Sequence, residues 1–191
     1  MKAQLAGICA SLLLAAPAFA DTYTFTDQSE VKFTATAPMR WNGVHGVSND
    51  VYGRIEIPSN GKLEEAKVGI GVPITSFRAK RGMDLHAFTA LEAAKYPAVM
   101  FKAKTITIDS RTETPEGTRL TGKIDGYLNF HGVVQPLSTA FTALQGPVES
   151  TIDAEFPISL SSHHVEPITV VVITMDDQVK MHIHLVAKKA T

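Results

Sequence analysis

Apolar and polar residues alternate with a period of two along most of this chain, the pattern of strands that bury one face. Residues 30–36 set Val31, Phe33 and Ala35 against Lys32 and Thr34. Residues 51–58 set Val51, Gly53, Ile55 and Ile57 against Tyr52, Arg54 and Glu56. Residues 66–74 place Ala66, Val68, Ile70, Val72 and Ile74 on one face. The clearest case is 119–131, with Leu120, Gly122, Ile124, Gly126, Leu128 and Phe130 inward and Thr121, Lys123, Asp125, Tyr127, Asn129 and His131 outward. Further strands are predicted at 23–26, 98–108, 133–142, 152–158 and 179–188, with Val99, Phe101, Phe141, Met181 and Ile183 inward. Residues 170–173 read as strand or buried loop. Turn chemistry separates these runs: Ser59-Asn60-Gly61, residues 111–117, the His131-Gly132 hairpin and Gln145-Gly146-Pro147. Residues 39–50, which carry Trp41 and His45, and the polar residues 161–167 read as loops.

One stretch breaks the period. Between Arg81 and Lys95, Met83, Ala87, Leu91 and Ala94 recur at helical spacing, and Tyr96-Pro97 ends the run before the next strand. Eight to ten short antiparallel strands with one helical insert predict a single barrel or sandwich, with the insert covering one end. Gly53, Gly122 and Gly126 on the inner face either leave volume there or mark bulges.

Composition changes this picture at the N-terminus. Lys2, an apolar run over residues 5–18 and the small-x-small ending Ala18-Phe19-Ala20 read as a secretory signal peptide, too short to span a membrane. The expected division is 1–20 signal peptide and 21–191 folded domain, exported to the periplasm. Cys9, the only cysteine, would leave with the signal. The remaining 171 residues would have no disulfide and no thiolate metal site. Loss of Lys2 leaves 17 basic against 19 acidic residues, with no basic stripe, which argues against a nucleic-acid partner.

Chemistry is sparse. There is no G-x-S-x-G elbow, no H-E-x-x-H, no phosphate loop and no dinucleotide fingerprint, so no enzymatic activity is predicted. His182 and His184 share a strand face and could chelate a metal with His163, His164 and Glu166. Alternation instead aims both outward as ordinary surface residues, and no metal site is assigned. Asp84, Glu92 and Lys95 read as the solvated face of the insert rather than a polar rim that meets a ligand.

Lys95-Tyr96-Pro97-Ala98-Val99-Met100-Phe101, the Gly122–Val133 hairpin, Gly53-Arg54-Ile55 and the run from Asp177 to Met181 together resemble the YceI family of exported lipid- or polyisoprenoid-binding proteins. The residues before the helix depart from the family's R-D-x-H-L: Arg81 is kept, but Gly82-Met83-Asp84 follows. The resemblance implies an all-β, lipocalin-like antiparallel barrel of about eight strands with one short helical insert. It implies an apolar interior that holds an isoprenoid, quinone or fatty amphiphile, and no other cofactor. The ligand-binding candidates are Phe33, Ile55, Ile57, Val68, Ile70, Val72, Val99, Phe101, Leu128, Phe141, Met181 and Ile183, with Met83, Phe88 and Leu91 over the mouth. An envelope module whose barrel is filled by its own side chains is the competing reading, and a homodimer is left open.

Overall fold

The computed structural model describes residues 19–37, 44–79, 89–166, 169–170 and 173–190. The apolar run of the predicted signal, Cys9, Trp41, Arg81, Gly82, Met83, Asp84, His86 and Phe88 lie outside them. The strands are β1 (Phe19–Phe25), β2 (Glu30–Ala35), β3 (Val44–Ser48), β4 (Tyr52–Pro58), β5 (Lys67–Pro73), β6 (Arg78–Ala79), β7 (Ala98–Thr114), β8 (Gly117–Phe130), β9 (Val133–Gln145), β10 (Glu149–Ser159), β11 (Thr169–Val170), β12 (Ile173–Thr174) and β13 (Gln178–Lys189). All the ladders are antiparallel. The order β1-β4-β5-β7-β8-β9-β10-β13 closes through Tyr23↔Lys189, Thr24↔Lys188 and Phe25↔Ala187 into a ring of eight strands. Closure leaves no open edge in the ring.

The first half of β13 pairs with β2 instead of β1, from Val179↔Ala35 to His184↔Glu30. The wall therefore forks, and β2, β3 and β6 extend it beyond the ring. Ser29 sits at the fork, fully buried. Its hydroxyl donates to the Val186 carbonyl at 3.2 Å and accepts from the Val186 N–H at 3.0 Å. The Thr26 N–H still donates to that carbonyl at 2.9 Å, so the Ser29 hydroxyl chiefly supplies the acceptor that the Val186 N–H loses at the bend between β1 and β2. β3 occupies residues expected as loop: a short strand with Gly46 at its centre has weak local preference, and pairing with β2 decides it.

β7 and β8 are longer than their patterns predict. Residues 111–114, expected in a turn, continue β7 to Thr114 because β8 pairs with them as far as Gly117. Two register shifts interrupt β7, between Ala103 and Thr105 and between Ile108 and Ser110. Gly126 and Gly122 are the register partners of Ala103 and Ile108, beside those shifts. A Cβ at Gly126 would collide with the Lys102 carbonyl and lie 2.6 Å from the Phe101 ring. At Gly122 it would collide with the Thr107 carbonyl and crowd the Phe141 ring. Of the two readings offered by the sequence, these glycines mark bulges, and aromatic rings take the space they leave.

The two ends of the ring are built differently. At one end the chain turns between β7 and β8, between β9 and β10, and through a 3₁₀ turn, Leu63–Glu65, between β4 and β5. At the other lie the 3₁₀ turns Ile74–Ser76 and Ser161–His163, the described end of the insert and the β11–β12 hairpin. Thr89 and Ala90 are helical and 91–95 form turns. Here the core is packed: Ile74, Phe77, Ala93, Phe130, Leu160, Val165, Met175 and Val179 are buried in one cluster.

Two histidines knit this end. His131 and Gly132 both have positive φ, 52° and 75°, as a two-residue hairpin of this twist requires. The His163 carbonyl accepts from His131 Nδ1 at 3.1 Å, and Glu92 Oε2 lies 3.0 Å from its Nε2. The Tyr96 ring packs on His131 with centroids 4.3 Å apart. His163 Nδ1 faces the carbonyls of Phe130 and Val133 at 3.2 Å each. Both side chains are buried, although alternation places His131 outside and residues 161–167 read as a polar loop. Strand parity ends where the hairpin begins, and the Ser161–His163 turn folds back under it. Asp177 fixes that turn, accepting from the Ser159 hydroxyl and the Ser161 N–H at 2.7 Å each.

Candidate functional site

The ring encloses a cavity of about 210 Å³. Its wall follows from alternation. β8 contributes Leu120, Ile124 and Leu128; β9 Leu137, Thr139, Phe141, Ala143 and Gln145; β10 Ser150, Ile152, Ala154, Phe156 and Ile158; β13 Met181, Ile183, Leu185 and Ala187. Leu120 and Leu128 are eight positions apart on one strand, about 26 Å at strand rise, so the cavity is long and narrow. No Asp, Glu, Lys, Arg or His is among the described lining residues. The Thr139 hydroxyl donates to the Glu155 carbonyl at 3.0 Å, which meets its need for a partner within the wall.

Of the residues expected to meet a ligand, Ile55, Ile57, Val68, Ile70, Val72, Val99, Phe101, Leu128, Phe141, Met181 and Ile183 are on this wall. Phe33 is not. Its ring meets Phe77 edge-on at 5.5 Å and covers Gly46, on the extension beyond the ring. Leu91 packs against the buried core rather than lining the cavity, because the described end of the insert lies at the packed end. Met83 and Phe88 lie outside the described residues.

Alternation already marks the inner faces of β8, β9, β10 and β13, so Leu120, Ile124, Leu137, Ile152, Phe156 and Leu185 were within reach of the pattern. Ile106 and Ile108 were not. Val99, Phe101 and Ala103 face inward at odd positions, and the extra residue before Thr105 moves the inward face to even ones. Leu63 enters from a 3₁₀ turn, where no strand period applies.

The cavity differs along its length. Toward the packed end, Val31, Val72, Phe77, Ile158 and Met181 are buried, as are Leu120, Leu185 and Ala187 nearer the tight turns, so the difference lies in polarity and in exposure at the rim. Toward the other end stand Tyr23, Leu63, Gln145 and Ser150, and Gln145 is exposed. We therefore place the mouth at the tight turns, opposite the insert.

The remaining chemistry lies elsewhere. His182 Nδ1 is 2.8 Å from Glu155 Oε1, and His184 Nδ1 is 2.7 Å from Asp153 Oδ1, pairs across β10 and β13 on the outer surface. Hydrogen bonds from Lys180 and then His182 hold the Glu155 carboxyl below its ordinary pKa. Among the described residues no three His, Cys, Asp or Glu side chains group as a metal site. Glu92 and Lys95 of the insert are exposed and pair with each other at 3.9 Å. Burial pushes the His163 imidazole below its ordinary pKa, against the raising effect of its two carbonyl partners.

A family model for the YceI-like domain matches residues 23–187. BcnA of Burkholderia cenocepacia has a similar structure, with a TM-score of 0.68 and 18% identity over 87% of this chain and 99% of that one. A polyisoprenoid binding domain from Saccharophagus degradans, implicated in plant cell wall breakdown, has a TM-score of 0.68 and 11% identity over 88% and 98%. A Campylobacter jejuni YceI protein has a TM-score of 0.58 and 19% identity over 80% and 89%. The TM-scores show a shared fold. No curated protein matches the chain.

Proposed function

The chain belongs to the YceI-like domain family, and on that premise we propose that it is a periplasmic carrier for one long apolar chain, a polyisoprenoid, quinone or fatty amphiphile, held inside the ring. The observation that carries this reading is the cavity itself: long, narrow and lined from all eight strands, chiefly by Ile, Val, Leu and Phe. Its volume, about 210 Å³, lies below the ~300–1,000 Å³ of pockets for compact drug-sized ligands. A slender chain suits it better than a fused-ring body. Burying such a chain is favourable by about 25 cal/mol per Å² of apolar area, so retention needs no reacting group. That favours binding over catalysis. The polyisoprenoid-binding neighbour supports the ligand class. The N-terminal pattern supports export, and removal of residues 1–20 would keep the β1–β4 pairs from Asp21↔Ile57 to Thr24↔Arg54.

Native mass spectrometry of gently purified protein, followed by solvent extraction, tests this. The expected result is a co-purified long-chain lipid at up to one per chain. An apo mass that stays unchanged after incubation with an added isoprenoid would overturn it.

A further inference from the structure

We propose that the occupant carries an uncharged, hydrogen-bonding head group, seated between Gln145 and Ser150, with its chain running toward Phe77. This rests on the reading of the cavity as a site for an apolar chain.

Gln145 and Ser150 are direct register partners on β9 and β10, so their side chains stand together on the inner face. The amide supplies donors and an acceptor, and the hydroxyl supplies one of each. Neither side chain is engaged by another described protein group, in contrast to Thr139, whose hydroxyl is held by Glu155. They are thus an unpartnered polar pair at one end of an apolar tunnel.

Three cations near this rim are matched. Lys188 pairs with Glu149 at 3.4 Å, Lys189 with Asp21, and Arg111, which shares the face of Leu120, with Glu64 at 3.4 Å. A phosphate or carboxylate seated here would find no cation among the described lining residues. Left outside in water, it would leave Gln145 and Ser150 unused. A hydroxyl or carbonyl gives up little water and gains both partners. The reverse orientation would set the head among Phe77, Ile158 and Met181, where no described lining side chain accepts or donates.

The test is competition against a bound fluorescent apolar probe, using the full chain as exported. Three ligands of one chain length are compared: geranylgeraniol, its phosphate and the parent hydrocarbon. The alcohol should bind about tenfold tighter than either of the others. In the double variant Gln145→Leu/Ser150→Ala, with its fold checked by far-UV circular dichroism, that advantage should vanish. Gln145→Lys at this exposed position should shift preference toward the phosphate. A phosphate that binds the native protein as well as the alcohol does, or an advantage that survives the double variant, overturns the proposal. Equal binding of all three sinks the head-group site alone. If none displaces the probe, the carrier reading falls and this falls with it.

Discussion

The two ends of the barrel are made from the same strands but differ in what joins them. At the mouth two connections are tight turns, and Ile57, Ile108, Ala143 and Ile152 beneath them stay half-buried, although their neighbours Leu120 and Leu185 are buried. At the base the β8–β9 hairpin is just as tight, but the β5–β7 and β10–β13 connections are long, and Ile74, Val165 and His163 fold from them into the ring and are almost wholly buried. A closed ring of eight strands leaves a hollow whose fate is decided by what the connections insert into it. One half of this barrel stores packing energy, and the other keeps room.

The sharpest way to break this contrast is to place the same bulk in each half. Ala35→Phe at the base should cost about 3 kcal/mol, since a close-packed cluster cannot absorb a ring. Ala154→Phe on the cavity wall should cost less than about 1 kcal/mol and abolish lipid uptake. Urea unfolding and the probe assay read the two effects. Equal destabilisation at both sites would mean that the cavity half is as tightly packed as the base.

The seam between the halves should come next. Ser29→Ala leaves the Val186 N–H without a partner in a buried place, while the carbonyl keeps the Thr26 N–H, at a cost of about 2 kcal/mol in the same unfolding experiment. A smaller loss than in a Ser→Ala control on the surface would show that water fills the gap.

The smallest effect concerns the histidine at the base. The folded His163 imidazole titrates below its unfolded counterpart, so the unfolded chain binds a proton first as pH falls. Its contribution is complete above the ordinary histidine pKa and is lost as pH drops through that value to the lower folded one. Asp177, held below its ordinary carboxyl pKa by Ser159 and Ser161, adds a loss in the same direction at more acid pH. Stability followed by urea midpoint from pH 7.5 to 5 should decline, and His163→Gln should flatten the upper part of that decline. Lipid release should not follow this titration, because the mouth lies at the other end.

Much of the barrel was legible because a strand with one buried face must alternate. Leu120, Ile124 and Leu128 declare their face from the sequence alone, whatever they pack against. The failures have local causes. The bulge at Ala103–Thr105 reverses parity without altering composition, which hid Ile106 and Ile108. β3 lacks a strand signal of its own and exists through β2. Alternation put His131 outside, and His163 read as a loop residue that could complete a metal site, until two connections folded onto each other and buried both.

The sequence by itself determined the all-β class, the alternating apolar lining and the place of the non-β insert, because these depend on neighbours one to four positions apart. The tertiary structure alone decided which end of the ring is plugged and which is open. It also decided that Gln145 and Ser150 stand side by side at the mouth. Those facts depend on ring closure and on where long connections come to rest, and no local period records either.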